Sequence, residues 1–259
     1  MKLYICEDVK NARWRKHITH IKNNDNTDNN ANSANNANND ETGKEPKVSH
    51  VFIKKCICDF IGEKEYNTNI IFAKNDYGKP YIDKIYIKKG SAWIKIDLSL
   101  FFSLSHSDDL MICAVACFNI GADCQMKNLK NLTSAEQCRK IAKRFYSDIE
   151  NKFLDSLNSL NSTNSTESID DNISDIYINH FFKIWTKKEA YIKYTGKGLA
   201  EGLNTFSVTN EIRQKKYFGD VYFKRILLTK LKKYNRKDFY IYLCYNKDNK
   251  NVLEIKYFR

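Results

Sequence analysis

Two oxygen-bearing side chains, Asp123 and Gln125, lie two residues apart in the segment GADCQ at residues 121–125. The segment follows a strand-like apolar run over residues 111–118, so strand alternation would place both side chains on one face of a sheet. Their oxygens suit a hard cation such as Mg²⁺, which prefers oxygen ligands. An aspartate after a glycine is also a common turn residue, so this pair alone does not establish a metal site.

A second group lies on a predicted helix. Trp185, Glu189 and Lys193 recur every four residues and therefore share one helix face. That face offers a carboxylate and an ammonium group together. The alternative is an exposed Glu–Lys pair worth about 0.3–0.5 kcal/mol, which many helices carry.

The third group is the run SLSHS at residues 103–107, where the sequence predicts a hydroxyl-rich turn between two apolar segments. Its hydroxyl groups and the imidazole of His106 could bind phosphate oxygens. A Ser-His-Asp hydrolase would also need an aspartate partner and a GxSxG-type turn, and the sequence has no such motif. Capping of a loop is the simpler alternative.

Strands and helices are predicted in both halves of the chain. A helix over residues 134–153 begins with a capping box of Ser134 and Gln137, and a second over residues 177–194 is ended by Gly196. We therefore expect an α+β chain of two lobes, residues 1–118 and 119–259. Short β-branched and aromatic runs predict strands at residues 69–73, 84–88, 92–98, 111–118, 205–209, 216–224, 239–245 and 252–257.

Two polar segments interrupt this pattern. Residues 23–40, in the N-terminal lobe, are almost entirely Asn, Asp, Ala, Ser and Thr, which predicts a disordered insertion because such a composition buries too little apolar area. Residues 158–175, in the C-terminal lobe, are rich in Ser, Asn and Thr and are predicted to be flexible. Neither segment is expected to carry chemistry.

Composition narrows the class of protein. The 259 residues, 42% of them hydrophobic, suffice for a buried core, and the sequence shows neither an apolar membrane span nor a secretory leader, which favours a cytoplasmic protein. The 8 cysteines form no CxxC pair, so we expect reduced, mostly buried thiols and no zinc site. The net charge of +12 favours an anionic partner, whether nucleic acid, phosphorylated cofactor or acidic protein.

Several motifs then follow one another in a characteristic order. They are GKPY at 78–81, SLSHS at 103–107, IGAD at 120–123, WTKKEAYIK at 185–193 and GKGL at 196–199. In this order they resemble the surfactin-synthetase-activating (Sfp) type of 4′-phosphopantetheinyl transferase. The similarity continues through IAKRFYS at 141–147 to Glu150 and through FSV at 206–208, and it covers roughly residues 71–208.

The resemblance implies a monomeric pseudo-dimer of two similar α+β lobes, with the active site in the cleft between them. Coenzyme A and Mg²⁺ would be bound in that cleft. The implied reaction transfers 4′-phosphopantetheine from coenzyme A to a serine of an acyl or peptidyl carrier protein and releases 3′,5′-ADP. Neither a nucleic-acid partner nor a membrane is implied.

The resemblance also implies roles for individual residues. Either Glu150 or Glu189 would accept the proton of the carrier serine, and Lys188 would protonate or stabilise the departing oxygen. The metal ligands would be Asp123, Gln125 and Glu189. The side chains that contact coenzyme A would be Lys79, Ser105, His106, Asp123, Lys188 and Lys193.

The chain departs from the family pattern at two places. Family members often have a glutamate at the position of Gln125, so we expect weaker Mg²⁺ binding here or a water between the amide and the ion. The family's helix with an arginine for the 3′-phosphate lies where this chain has its Asn-rich segment. The candidate replacements for that arginine are Arg13, Arg15, Lys16, Lys54 and Lys55.

Two other functions remain as alternatives. A catalytically silent relative would bind coenzyme A or a carrier without transferring anything. Gln125 and the altered N-terminal half motivate this alternative. A nucleic-acid-binding protein would use the net charge and the lysines interleaved with aromatic residues over 215–237. The second alternative has no helix-turn-helix, zinc-finger or RNP-like motif to support it.

Overall fold

The computed structural model describes residues 1–7, 48–127, 134–159, 169–209, 220–228, 230–231, 239–249 and 253–258. These residues form a mixed α+β fold, as the sequence predicts. The elements are β1 (Lys2–Cys6), α1 (Val48–Ile61), β2 (Thr68–Lys74), β3 (Pro80–Lys89), β4 (Ala92–Ile96), β5 (Phe101–Ser107), β6 (Leu110–Ala116), β7 (Ile120–Met126), α2 (Ala135–Phe145), α3 (Asp148–Ser159), α4 (Ile169–Thr195), β8 (Val221–Arg225), β9 (Phe239–Asn246) and β10 (Glu254–Phe258). Single 3-10 turns cover Glu65–Asn67, Gly198–Glu201, Leu203–Thr205 and Lys247–Asn249.

The described strands form three sheets, with the orders β10-β1-β6-β5, β2-β3-β4 and β7-β9-β8. The first and third sheets pack face to face, with α1 outside the first and α4 outside the third. Helices α2 and α3 pack against α4. Strand β6 is buried on both faces: Ile112 faces the third sheet and Cys113 faces α1. This double burial explains why its sequence is a continuous apolar run.

Strand β10 joins the two ends of the chain. It pairs in parallel with β1, with Lys2 opposite Glu254. Asp59 of α1 secures the same corner, because its carboxylate accepts the Tyr4 hydroxyl and the Lys256 ammonium, each at 2.8 Å. The C-terminal strand therefore completes the sheet of the predicted N-terminal lobe, across the predicted boundary after residue 118.

The predicted helix over 134–153 is two helices. The capping box is present, since Ser134 Oγ accepts the Gln137 amide and the Gln137 side chain accepts the Ser134 amide. Helix α2 nevertheless ends at Phe145, because the next residue, Tyr146, has an extended backbone, and α3 begins at Asp148. The amide of Asn151 donates to three carbonyl groups at this junction, including those of Ala142 and Tyr146, and so fixes the bend.

The two polar segments lie largely outside the described residues, which exclude 23–40 and 160–168. Residues 169–175 belong to the predicted flexible segment, but their backbone forms the start of α4. All 8 cysteines are free, and only Cys117 is exposed. In the part of the chain that the structure describes, no helix has the length and apolar character needed to cross a membrane.

Helix α4 lies directly on β7 at Gly121. A Cβ atom at this position would be 2.0 Å from the Ala190 carbonyl oxygen and 2.5 Å from the Tyr194 amide nitrogen. Both neighbouring atoms belong to the helix backbone and cannot move alone. Only glycine therefore permits this separation between strand and helix, and the separation places the side chains of β7 against those of α4.

We expect Gly121→Ala to lower the free energy of unfolding by about 2–3 kcal/mol, because the added methyl group must push α4 away from β7. Urea unfolding followed by circular dichroism measures the change. An unchanged midpoint would show that α4 does not pack on β7 as closely as described.

Candidate functional site

Asp123 of β7 is the centre of a buried polar cluster under α4. Its Oδ1 atom accepts a hydrogen bond from the Lys193 ammonium and one from the Ser105 hydroxyl, each at 2.7 Å. The residue is only 5% exposed. The packing of α4 on β7 therefore brings a carboxylate of the strand and a lysine of the helix into direct contact.

The run SLSHS is a strand, β5, and the predicted turn is wrong. Strands β5 and β7 are the edges of two different sheets, and serine side chains link them. The hydroxyl oxygens of Ser103, Ser105 and Ser107 accept the backbone N–H groups of Ala122, Cys124 and Met126 at 2.8, 3.3 and 2.9 Å. Each serine thus replaces a backbone acceptor that the neighbouring edge lacks.

This linkage changes the interpretation of Ser105 and His106. The Ser105 hydroxyl is buried and bonded to Asp123, so it orients that carboxylate. His106 is exposed and points to the opposite face of β5, which it shares with Leu104. The predicted contact of His106 with coenzyme A stays a prediction.

The second oxygen of Asp123, Oδ2, is buried and has no hydrogen-bond partner among the described residues. Glu189, one turn before Lys193 on α4, is also largely buried. Burial, and then the negative charge of Asp123, raise its pKa to about 7 despite the opposing charge of Lys193. Burial alone would lower the pKa of Lys193, but Asp123 reverses this and raises it.

These carboxylates fit a divalent cation. The buried Oδ2 atom of Asp123 has no partner among the described residues, and a bound cation would relieve the repulsion between Asp123 and Glu189. Gln125 follows on the same face of β7, and its Nε2 atom is 3.4 Å from Ser107 Oγ. No set of three His, Cys, Asp or Glu side chains converges in the described ranges, and the predicted ligand set of Asp123, Gln125 and Glu189 stays a prediction.

A cavity of about 590 Å³ opens beside this cluster, a volume typical of small-molecule sites. Glu189 and Lys193 line it from α4, and Lys79 lines it from the turn between β2 and β3. Burial lowers the pKa of Lys79. No carboxylate within the described ranges is in ion-pair contact with its ammonium group, so an anionic ligand would find an uncompensated cation there.

Ser49 and His50, at the start of α1, also line the cavity. Sequence reasoning missed both, because nothing in their spacing indicates that the first turn of α1 lies beside α4. Of the candidate replacements for the family's arginine, residues 13, 15 and 16 are outside the described residues. Lys55 lies over the ring of Phe258, 5.0 Å from its centroid.

Glu150 and Lys188 are not brought to this cavity. Both side chains are fully buried, and they form an ion pair of 2.7 Å with each other. Burial lowers the pKa of Lys188, against the opposing effect of Glu150. The predicted catalytic roles of both residues, and the predicted contact of Lys188 with coenzyme A, stay predictions that this geometry does not support.

The buried pair also explains why the predicted strand over 205–209 is absent. Lys188 Nζ donates to the carbonyl groups of Leu203 and Phe206 at 2.6 and 2.5 Å. Glu150 accepts the Val208 amide at 2.7 Å. These side chains occupy the backbone groups that a neighbouring strand would need. Residues 203–208 therefore follow α4 without forming a strand and are held in place by hydrogen bonds to the buried pair.

The described residues form an α+β fold in which Lys79, Glu189 and Lys193 line one cavity. Residues 119–244 match the family model of the 4′-phosphopantetheinyl transferase superfamily. This segment contains Asp123, Glu189 and Lys193 and runs from just before β7 into β9. The resemblance inferred from the motifs is confirmed over this part of the chain.

Individual relatives agree with the family match. The 4′-phosphopantetheinyl transferase gsp of Aneurinibacillus migulanus is 29% identical over 140 residues, 54% of this chain and 44% of that protein. The 4′-phosphopantetheinyl transferase Sfp of Bacillus subtilis (strain 168) is 30% identical over 141 residues, 54% of this chain and 48% of the relative. HetI of Nostoc sp., also named a 4′-phosphopantetheinyl transferase, is 34% identical over 133 residues, 50% and 44% of the two chains. The matches thus span about half the length of these relatives.

The raised pKa of Glu189 gives a prediction about stability and pH. The folded protein holds this proton more tightly than the unfolded chain, since the pKa rises from an ordinary 4.5 to about 7. The contribution of protonated Glu189 to the free energy of unfolding is therefore fully present below pH 4.5 and is lost as the pH rises through 7. In metal-free buffer we expect the Tm of the wild type to fall over this range relative to that of Glu189→Gln. An equal change of Tm with pH in the wild type and in Glu189→Gln would contradict this prediction.

Proposed function

We propose that the protein transfers the 4′-phosphopantetheine group of coenzyme A to a serine of an acyl or peptidyl carrier protein. The observation that carries the proposal is the joint placement of Asp123, Glu189 and Lys193 beside a cavity with an uncompensated lysine. The family match over the same residues supports it. The product would be the holo carrier together with 3′,5′-ADP.

The residues of the cavity have distinct tasks in this proposal. Asp123, Glu189 and the amide of Gln125 would hold Mg²⁺, which neutralises negative charge on the pyrophosphate when bound. Lys193 and Lys79 would bind phosphate oxygens as charged donors. His106 would contact the cofactor from the exposed face of β5.

The chemical step needs a base. The serine oxygen forms a bond to the β-phosphorus, the bond to the 3′,5′-ADP oxygen breaks, and a carboxylate takes the serine proton. Glu189 lines the cavity, where it would reach the serine proton directly or through water. Glu150 is fully buried, so we favour Glu189 of the two candidates.

The proposal extends to the architecture. Two similar lobes would form a monomeric pseudo-dimer with the site between them, divided near residue 118. The face-to-face packing of two sheets, each with one helix on its outer face, supports this division. The cytoplasmic location stays a prediction.

A silent relative is the second candidate, because Gln125 would leave the proposed metal site with two carboxylates and a neutral amide. Such a protein would bind coenzyme A but leave the carrier unmodified. The nucleic-acid alternative has less support, because the sequence has no helix-turn-helix, zinc-finger or RNP-like motif.

Intact-mass spectrometry of apo carrier proteins, incubated with this chain, coenzyme A and Mg²⁺, tests the proposal. A mass gain equal to one phosphopantetheine group is expected with at least one acyl or peptidyl carrier. Binding of coenzyme A without a mass gain on any carrier would favour the silent relative. Absence of both binding and mass gain would refute the proposal.

A further inference from the structure

The turn that carries Lys79 into the cavity is organised by one side chain, Asn75. Its Oδ1 atom accepts the backbone N–H groups of Tyr77 at 3.1 Å and of Lys79 at 2.8 Å. The backbone closes the same turn, because the backbone N–H of Asn75 donates to the Lys79 carbonyl at 3.0 Å. The backbone of Lys79 is therefore bonded to Asn75 through both its N–H and its C=O group.

The side-chain NH2 group of Asn75 contacts Gly196, which lines the cavity at the end of α4. Its Nδ2 atom donates to the carbonyl of Gly196 at 2.9 Å, across 121 residues of sequence. Gly196 follows the last residue of α4 and has a φ of 75°. Its carbonyl lies at the negative end of the helix dipole, where a donor is favoured. Asn75 thus joins the turn that carries Lys79 to the helix that carries Glu189 and Lys193.

We propose that Asn75 is a positioning residue that sets how tightly the cavity binds its anionic ligand. A lysine on a surface turn binds an anion well only when the turn is held in place beforehand. Asn75 provides this by fixing Lys79 against the end of α4. The identity of the ligand, coenzyme A, rests on the proposed function. Lys79 would act on cofactor binding, so loss of Asn75 should weaken affinity and leave the chemical step unchanged.

Asn75→Asp separates the two contacts of the side chain. The carboxylate keeps an acceptor for the amides of Tyr77 and Lys79 but has no donor for Gly196, and it adds a negative charge at the carboxyl end of α4. We expect the KM and the Kd for coenzyme A to rise about tenfold, with kcat changed less than about twofold.

Asn119→Asp is the matched control. Asn119 Nδ2 donates to the carbonyl of Tyr194 at 2.9 Å, also at the end of α4, but it makes no hydrogen bond with the turn that carries Lys79. The control should change the KM for coenzyme A by less than about twofold. Equal effects of the two variants would overturn the proposal, because they would reflect a general weakening of α4.

A double-mutant cycle with Lys79→Ala tests whether Asn75 acts through Lys79. In the Lys79→Ala background, Asn75→Asp should raise the KM for coenzyme A little further. Fully additive effects would show that Asn75 acts by another route and would overturn the proposal.

Hydrogen exchange measured on the ligand-free protein tests the role of Asn75 without assuming that coenzyme A is the ligand. Asn75→Asp should speed exchange in peptides spanning 75–80 and 192–198, whereas Asn119→Asp should speed it only in the second. If the wild type fails to bind coenzyme A, the proposed function fails, and these exchange rates still test the link. Unchanged exchange over 75–80 in Asn75→Asp would refute it.

Discussion

In the proposed reaction, Asp123→Asn should reduce kcat/KM for transfer to the carrier by about 100-fold or more. One change removes both the charge that faces Lys193 and one of the proposed metal ligands. Asparagine has the same shape, and its amide oxygen can still accept from Ser105 and Lys193. The loss would therefore reflect charge rather than packing. The rate of holo-carrier formation measured by mass spectrometry gives the result.

Asp59→Asn is the matched control for this prediction. Asp59 also accepts a lysine and a hydroxyl group, Lys256 and Tyr4, at distances close to those around Asp123. It lies where β1, β10 and α1 meet and does not line the cavity beside Asp123. We expect near-normal transfer from this variant. If Asp123→Asn behaves like Asp59→Asn, Asp123 takes no part in catalysis.

Lys188→Met should lower the free energy of unfolding by about 3–5 kcal/mol, because it leaves the Glu150 carboxylate charged and unpaired in the core. It also removes the donor for the carbonyl groups of Leu203 and Phe206. Urea unfolding measures the change. The double variant Glu150→Gln with Lys188→Met should recover part of the loss, since no uncompensated charge then remains.

The pair Glu136–Lys140 provides the control. It has a similar distance, 2.9 Å, but its side chains are 73% and 75% exposed. Lys140→Met should change the free energy of unfolding by less than about 1 kcal/mol. A Lys188→Met effect equally small would contradict the buried-pair explanation. Transfer activity in the double variant would further show that the pair is structural, whereas a stable but inactive double variant would support the catalytic role predicted from the family resemblance.

The local arrangement of the site could be predicted from the sequence. The four-residue spacing of Glu189 and Lys193 places them on one face of α4, and alternation places Asp123 and Gln125 on one face of β7. These periodicities are properties of the backbone itself, so they hold wherever the elements pack. Gly196 likewise ends α4 as predicted, because a positive φ follows the helix there.

Only the tertiary structure decided which of these faces meet. Gly121 lets α4 approach β7 closely enough for Lys193 to reach Asp123, and no local pattern reports that distance. The same holds for Glu150 and Lys188: the family resemblance implied catalytic roles for both, and the fold buries them as an ion pair. SLSHS looked like a turn because its serines are polar, but the hydroxyl groups serve as acceptors for the edge of another sheet. A side chain's chemistry is fixed by its type, whereas its role depends on partners that are distant in sequence.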